Sequence, residues 1–415
     1  MMNLDPNPLR EQFPALATEV DGKSAVYLDG PGGTQVPRRV IEAMGSYLST
    51  GGSNLGGPFA ASRRSEAVVA AAREAMAAFY NAARPEEIVF GQNMTSLTFA
   101  MSRAIARTWE AGDEIILTRL DHDANITPWA MAAKERSVTV RWLDFRPEDG
   151  TLALDQLPSL LNERTRLLAI THASNALGTI PDVARASALA HEAGALVYVD
   201  AVHYAPHNLL DVQALDADFL VSSAYKYFGP HTGILYGKYE ELDRLAAYKV
   251  RPAPAEPPGK WETGTQSFES LAGVTAAVDY LATLAADPAG ELRRRLASGL
   301  ARVKAYEGGL SHQFLEGATA VPGLRVYGLT DVERLEERTP TFAVSLEGYS
   351  PSEVATRLGE RGIFVWDGHY YAVAVMERLG LLEEGGLVRI GFAHYNTPAE
   401  VEQVLDALDE LAQSR

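Results

Sequence analysis

No cysteine occurs anywhere in the 415 residues. That absence excludes disulfides, thiolate metal sites and cysteine nucleophiles together. Positive charge is also scarce: 37 Lys and Arg stand against 54 Asp and Glu, a formal net charge of −17. So acidic a chain, without a basic block, is not expected to bind nucleic acid or an anionic membrane. Long apolar runs are missing too, and none reaches the length that spans a bilayer. The opening MMNLDPNPLREQFP lacks the apolar core of a secretory signal, so a cytoplasmic location is expected. There is no dinucleotide glycine fingerprint, no phosphate loop, no internal repeat and no low-complexity tract.

What is present reads as a soluble α/β protein. Hydrophobic residues make up 47% and charged residues 22%, as in globular chains. The length allows two domains. Short apolar runs at Ile88–Phe90, Glu114–Leu117, Val138–Leu143, Leu167–Thr171 and Ala195–Val199 alternate with helical segments. That alternation predicts a largely parallel sheet covered on both faces. A helical region is expected from about Ser267 to Leu315. Beyond Leu324, strands (Thr341–Leu346, Ile363–Trp366, Leu387–Phe392) mix with helices, as in a smaller α+β domain. The expected division is a large domain over 21–285 and a small one over 286–415, with residues 1–20 packed near the latter.

The chemistry centres on DFLVSSAYKYFGPHTGILY, Asp218 to Tyr236. Lys226 follows the run Phe219-Leu220-Val221 and its two serines, just past a strand end, where open α/β folds bind ligands. Flanked by Tyr225 and Tyr227, its amine is a candidate for desolvation, which lowers a lysine pKa and makes it a Schiff-base nucleophile. Thr95 with Ser96, His122, Asn175, Asp200 with His203, and Ser222 with Ser223 also fall at predicted strand ends, which share one edge of a parallel sheet. Each residue alone has a plainer reading. Lys226 could snorkel to the surface, Asp200 or Thr95 could cap a helix, His122 could be a solvated loop histidine, and Asn175 could hold a turn. Together, a lysine, a strand-end acid and a hydroxyl-rich helix start suit pyridoxal phosphate.

The ordered motifs carry a resemblance that runs from about Tyr27 to Leu411. YLDGPGGTQVP, FGQNMTSLTFA, DHDANITPW, SNALGTI, YVDAVHY, the lysine segment, ETGTQS and VRIGFAHYNTPAEV together resemble the class V aminotransferases, pyridoxal-phosphate enzymes of fold type I, and within them the cysteine-desulfurase-like group. The resemblance implies a mainly parallel seven-stranded sheet between helices plus a smaller α+β C-terminal domain. It implies that Lys226 forms the internal aldimine, Asp200 pairs with the pyridine nitrogen and His122 stacks on the ring. Met94, Thr95, Ser223 and Tyr225 would hold the phosphate, and Asn175 and His203 would lie near O3′. Thr265 would reach the phosphate of the partner subunit, implying a homodimer. Arg389 would bind the substrate carboxylate, with Gly32, Asn54 and Tyr371 also facing the substrate. No metal is implied.

Two departures matter. Tyr225 replaces the usual His, Gln or Arg before the lysine. Asp367-Gly368-His369-Tyr370-Tyr371 matches the segment that carries the desulfurase cysteine, with tyrosine in its place and Trp366 where an arginine often stands. A chain without cysteine carries no persulfide. The expected activity is a class V aminotransferase acting on an α-amino acid through an external aldimine and quinonoid. The alternatives are a β-eliminating C–S lyase, an amino-acid epimerase, or a protein that binds the cofactor without turnover. The aromatic residues at 366, 370 and 371 point to a substrate larger than cysteine, or are simply small-domain core.

Overall fold

The computed structural model describes residues 4–414. Its main sheet has seven strands: β1 (Ile88–Gly91), β2 (Glu114–Thr118), β3 (Thr139–Leu143), β4 (Thr165–Thr171), β5 (Leu196–Asp200), β6 (Phe219–Ser223) and β7 (Gly233–Gly237). The order is β1-β7-β6-β5-β4-β2-β3. Only β7 runs against its neighbours β1 and β6; the pairings among β2 to β6 are parallel. The expected mainly parallel seven-stranded sheet is therefore present.

The central strands read as unbroken apolar runs because both faces are covered. Ile116, Leu168, Ile170, Val197, Val199, Leu220 and Ile234 join one core cluster. The residues alternating with them, Ile115, Leu117, Leu167, Ala169, Tyr198, Phe219, Val221 and Leu235, join another. This is the two-residue period of a strand expressed twice.

A second sheet contains β8 (Leu324–Tyr327), β9 (Thr341–Leu346), β10 (Trp366–Gly368) and β11 (Leu387–Gly391), in the order β8-β9-β11-β10. A third cluster lies here, with Phe314, Phe342, Val388 and Ile390 at its centre. The short strand Val26–Tyr27 pairs in parallel with Ile363–Phe364, and Arg10 forms an ion pair with Glu400 at 2.9 Å. The N-terminal segment touches both layers: Leu4, Phe13 and Leu16 join the core cluster of the main sheet, while Arg10 reaches the helix Pro398–Gln413.

Two expectations are corrected. The helical region after Ser267 is two helices, Phe268–Thr283 and Leu292–Ala318; Pro288 and Gly290 between them break the pattern. The run Ile363–Trp366 is not one strand: Ile363–Phe364 pairs with Val26–Tyr27, while Trp366 opens β10 in a different sheet. Between β3 and β4 the chain forms a 3-10 turn, Leu154–Gln156, followed by the short helix Leu157–Leu160. Among the described residues no helix is long and apolar enough to cross a membrane.

Candidate active site

The carboxyl ends of β1, β2, β4, β5 and β6 open on one cavity of about 710 Å³, closed from the opposite side by β10, β11 and the Pro31–Gly32 loop. Eleven of the expected residues line it: Gly32, Met94, Thr95, His122, Asn175, Asp200, His203, Tyr225, Lys226, Tyr371 and Arg389.

Lys226 ends the 3-10 turn Ala224–Lys226 that follows β6. Its Nζ donates to the carbonyl of Pro31 and lies 5.0 Å from the Tyr225 ring centroid. Burial, reinforced by the Arg389 charge, pushes its pKa down to about 7, against the opposing pull of Asp200 and Asp29. Asp200, the last residue of β5, is 4% exposed, and its Oδ1 accepts from the Val202 amide at 2.9 Å. Burial raises its pKa to about 6, although the Val202 amide and Lys226 pull the other way.

His122 follows β2. Its Nδ1 accepts from the Ala124 amide at 3.0 Å, which leaves the proton on Nε2 in the neutral ring. Burial, with Lys226 and Arg389 nearby, pushes its pKa down to about 3. Its ring lies nearly parallel to that of Tyr371, at 17° and 5.4 Å. The helix Met94–Ile105 begins at the cavity wall, capped by the Asn93 side chain on the Ser96 amide at 2.9 Å. A helix start presents free N–H groups and the positive end of the dipole to anions.

Arg389 sits mid-strand in β11 and is 5% exposed. Its Nη1 donates to the Asn175 carbonyl at 3.0 Å, while its Nε has no partner. It makes no ion pair among the described residues. Burial lowers its pKa to about 10, still charged at neutral pH. Asn175 donates from Nδ2 to the Tyr370 carbonyl at 2.9 Å, and its buried Oδ1 also lacks a partner. His203 lines the cavity with its Nε2 turned to Thr341 at 2.9 Å and Thr339 at 3.2 Å.

Three expected residues lie off the cavity wall. Ser223 is buried with its Oγ accepting from the Met94 amide at 3.0 Å, so it braces the helix start rather than facing the cavity. Asn54 and Thr265 are exposed and do not line the cavity of their own chain. Sequence reasoning passed over Asp121, whose carboxylate is fully buried behind Asp200 and held by Thr118, Asn125 and the Thr171 amide. Burial raises its pKa to about 8. It stands in a polar DHDAN segment, where an acid reads as solvated. Asp29, Phe99 and Asp123 were missed as well. Only the proximity of Asp29 to the glycine loop and of Asp123 to His122 hinted at them.

The family described as Aminotransferase class-V matches residues 26–404. The chain is 34% identical over 418 residues to a cysteine desulfurase of Serratia proteamaculans, covering 97% of each protein. Among solved structures it resembles the apo cysteine desulfurase of Thermococcus onnurineus, with a TM-score of 0.89 and 27% identity over the full length of both chains. It also resembles the cysteine desulfurase CsdA of Escherichia coli, with a TM-score of 0.85 and 29% identity over 99% of both chains. Matched by this family over residues 26–404 and by relatives over nearly its whole length, the chain belongs to the class V aminotransferases, a family of pyridoxal-phosphate enzymes.

Proposed function

We propose that the chain is an aminotransferase acting at Cα of an α-amino acid, without persulfide chemistry. One observation carries this reading: Lys226, Asp200 and an unpaired Arg389 converge on a single cavity, in a chain that has no cysteine. The residues present fit the cofactor. Buried Asn175 Oδ1 and Arg389 Nε lack partners, a helix start faces the cavity, and a lysine amine there has a lowered pKa.

When bound, pyridoxal phosphate supplies an electron-accepting ring that stabilises negative charge at Cα. The protein's own side chains do the rest. Lys226 would hold the cofactor covalently, and its free amine, with its pKa lowered to about 7, would take the proton from Cα and deliver it to the carbon that is protonated in transamination. Asp200, buried at the end of β5, would pair with the pyridine nitrogen and favour its protonated form. His122, held neutral, offers a flat face for the ring. Met94 and Thr95 at the helix start would hold the phosphate, with Tyr225 beside them and Ser223 bracing the Met94 amide. Asn175 and His203 would meet the phenolic oxygen. Arg389 binds the substrate carboxylate with two N–H groups and so fixes which Cα bond is aligned for cleavage. Gly32 and Tyr371 border the substrate.

Asn54 and Thr265 fit this reading as residues delivered to the cavity of a second copy of the chain. Exposed Ile41, Leu48, Leu55 and Phe59 on and beyond the helix Arg38–Ser49 support a homodimer, since apolar side chains grouped on a surface mark interaction sites. We divide the chain into the large domain 21–285 and the small domain 286–415 on the same basis, with the cavity between their sheets. A cytoplasmic location accords with the composition.

The identity to cysteine desulfurases favours a second reading, a β-eliminating lyase that releases sulfide without forming a persulfide on the protein. A panel of amino acids offered to the cofactor-loaded protein separates the two. Stoichiometric keto acid without ammonia supports the aminotransferase. Ammonia, pyruvate and sulfide from cysteine-type substrates support the lyase.

A further inference from the structure

The aminotransferase reading leaves the substrate side chain open. Its assignment rests on that reading's placement of the carboxylate at Arg389. Trp366 pairs directly with Arg389 across the antiparallel strands β10 and β11. Residues opposite one another in such a pair project from the same face. A carboxylate held by Arg389 therefore sets the rest of the amino acid beside the indole. The indole extends to the glycine loop: a Cβ on Gly32 would lie 2.5 Å from Trp366 Nε1. Glycine at 32 is what makes room for this ring.

Tyr371 forms the other side. Tyr370 and Tyr371 both adopt left-handed backbone, with φ of 48° and 60°, a conformation that costs energy for bulky residues and persists where the surroundings enforce it. Here the carbonyl of Tyr370 accepts from Asn175 at 2.9 Å and that of Tyr371 from the Asp123 amide at 2.7 Å. The turn is thus pinned across the cavity, with the Tyr371 ring parallel to His122. Yet Tyr371 remains 66% exposed and Trp366 53% exposed. Two large rings bordering one cavity, each more than half open to solvent in the single chain, offer apolar surface to a bound side chain.

Charge narrows the choice. Among the described residues, Lys226 and Arg389 are the only lysine or arginine lining the cavity, and both are already assigned. Asp123 and Asp367 line the same cavity. A side-chain carboxylate would find no cationic partner and would face two acids.

We propose that the substrate is an α-amino acid with a large, uncharged aromatic side chain, held between Trp366 and Tyr371 at the cavity mouth. The flat rings supply offset stacking as well as apolar area. Trp366 and Tyr371 are then specificity-determining residues, not catalytic ones.

The test is a binding titration. The protein is loaded with pyridoxal phosphate, and its visible spectrum is followed as phenylalanine, tryptophan, alanine, cysteine and glutamate are added in turn. Phenylalanine or tryptophan is expected to shift the spectrum at concentrations about tenfold lower than alanine or cysteine, with glutamate weaker than phenylalanine. Trp366→Ala and Tyr371→Ala should each reduce the preference for phenylalanine over alanine by roughly fivefold, with the melting temperature preserved. Tighter binding of alanine, cysteine or glutamate, or an unchanged preference in both variants, overturns the substrate class while leaving the cofactor assignment standing. A protein that develops no visible band overturns the cofactor assignment, and the substrate class with it.

Discussion

The guanidinium carbon of Arg389 lies 4.6 Å from the centroid of the Tyr370 ring. Tyr370 is 9% exposed, and its hydroxyl has no partner. The ring is thus a platform under the arginine proposed to bind the substrate carboxylate. Cation–π contacts of this kind contribute about 0.5–2 kcal/mol. Tyr370→Ala should therefore raise KM for amino acids by roughly 2- to 30-fold, with a smaller change in kcat, and Tyr370→Phe should restore most of the loss. An equal fall in kcat for both variants would point to the hydroxyl, not the ring, as the working group.

Arg389→Ala removes the group proposed to hold the substrate carboxylate. Hydrogen bonds to charged groups contribute about 1.5–3 kcal/mol. KM for α-amino acids should rise by one to two orders of magnitude, while the affinity for pyridoxal phosphate changes little. Steady-state kinetics and a cofactor titration check this. Parallel loss of both would assign Arg389 a structural role.

The lowered pKa of Lys226 predicts a pH dependence that is visible without turnover. Only the neutral amine attacks the cofactor aldehyde, and the folded protein holds this pKa near 7 in place of the ordinary 10.5. The rate at which apoprotein captures pyridoxal phosphate should rise with pH and level off above a midpoint near 7. Arg389 lowers this pKa and Asp200 raises it. Arg389→Ala should thus move the midpoint up, and Asp200→Asn should move it down. A midpoint near 10 in the wild-type protein would show that the amine is solvated.

Much of this site could be read from the sequence, because its parts announce themselves locally. Strands β4, β5 and β6 are continuous apolar runs, and each ends on a polar residue that the parallel sheet carries to the same edge. Lys226, Asp200 and Asn175 were found that way. Other parts depend on tertiary structure that leaves no local mark. Asp121 is buried only because Thr118, Asn125 and the Thr171 amide close around it. The apolar run from Ile363 to Trp366 gives no sign that the chain changes sheets at Val365. The left-handed backbone at Tyr370 and Tyr371 is normally signalled by glycine or asparagine, and neither is there. Thr265 belongs to the recognised ETGTQS segment and Asn54 lies in the glycine-rich stretch 51–58, yet a single chain leaves both exposed.

Gly233 tests how the helix start is held. It lies on β7 beneath the backbone of Asn93, and a Cβ added there would clash with the Asn93 carbonyl carbon. Overpacking against backbone costs about 1–3 kcal/mol. Gly233→Ala should lower the melting temperature and weaken pyridoxal-phosphate affinity together, because Asn93 caps the helix whose N–H groups would meet the phosphate. A drop in stability with cofactor affinity intact would separate the cap from the binding site.

The most direct test of the account is to find where the cofactor attaches. The protein is loaded with pyridoxal phosphate, reduced with borohydride, digested and mapped by mass spectrometry. A single phosphopyridoxyl adduct on Lys226 is expected, absent from a folded Lys226→Ala variant. An adduct on another lysine, or no adduct on a protein that is folded and loaded, would contradict it.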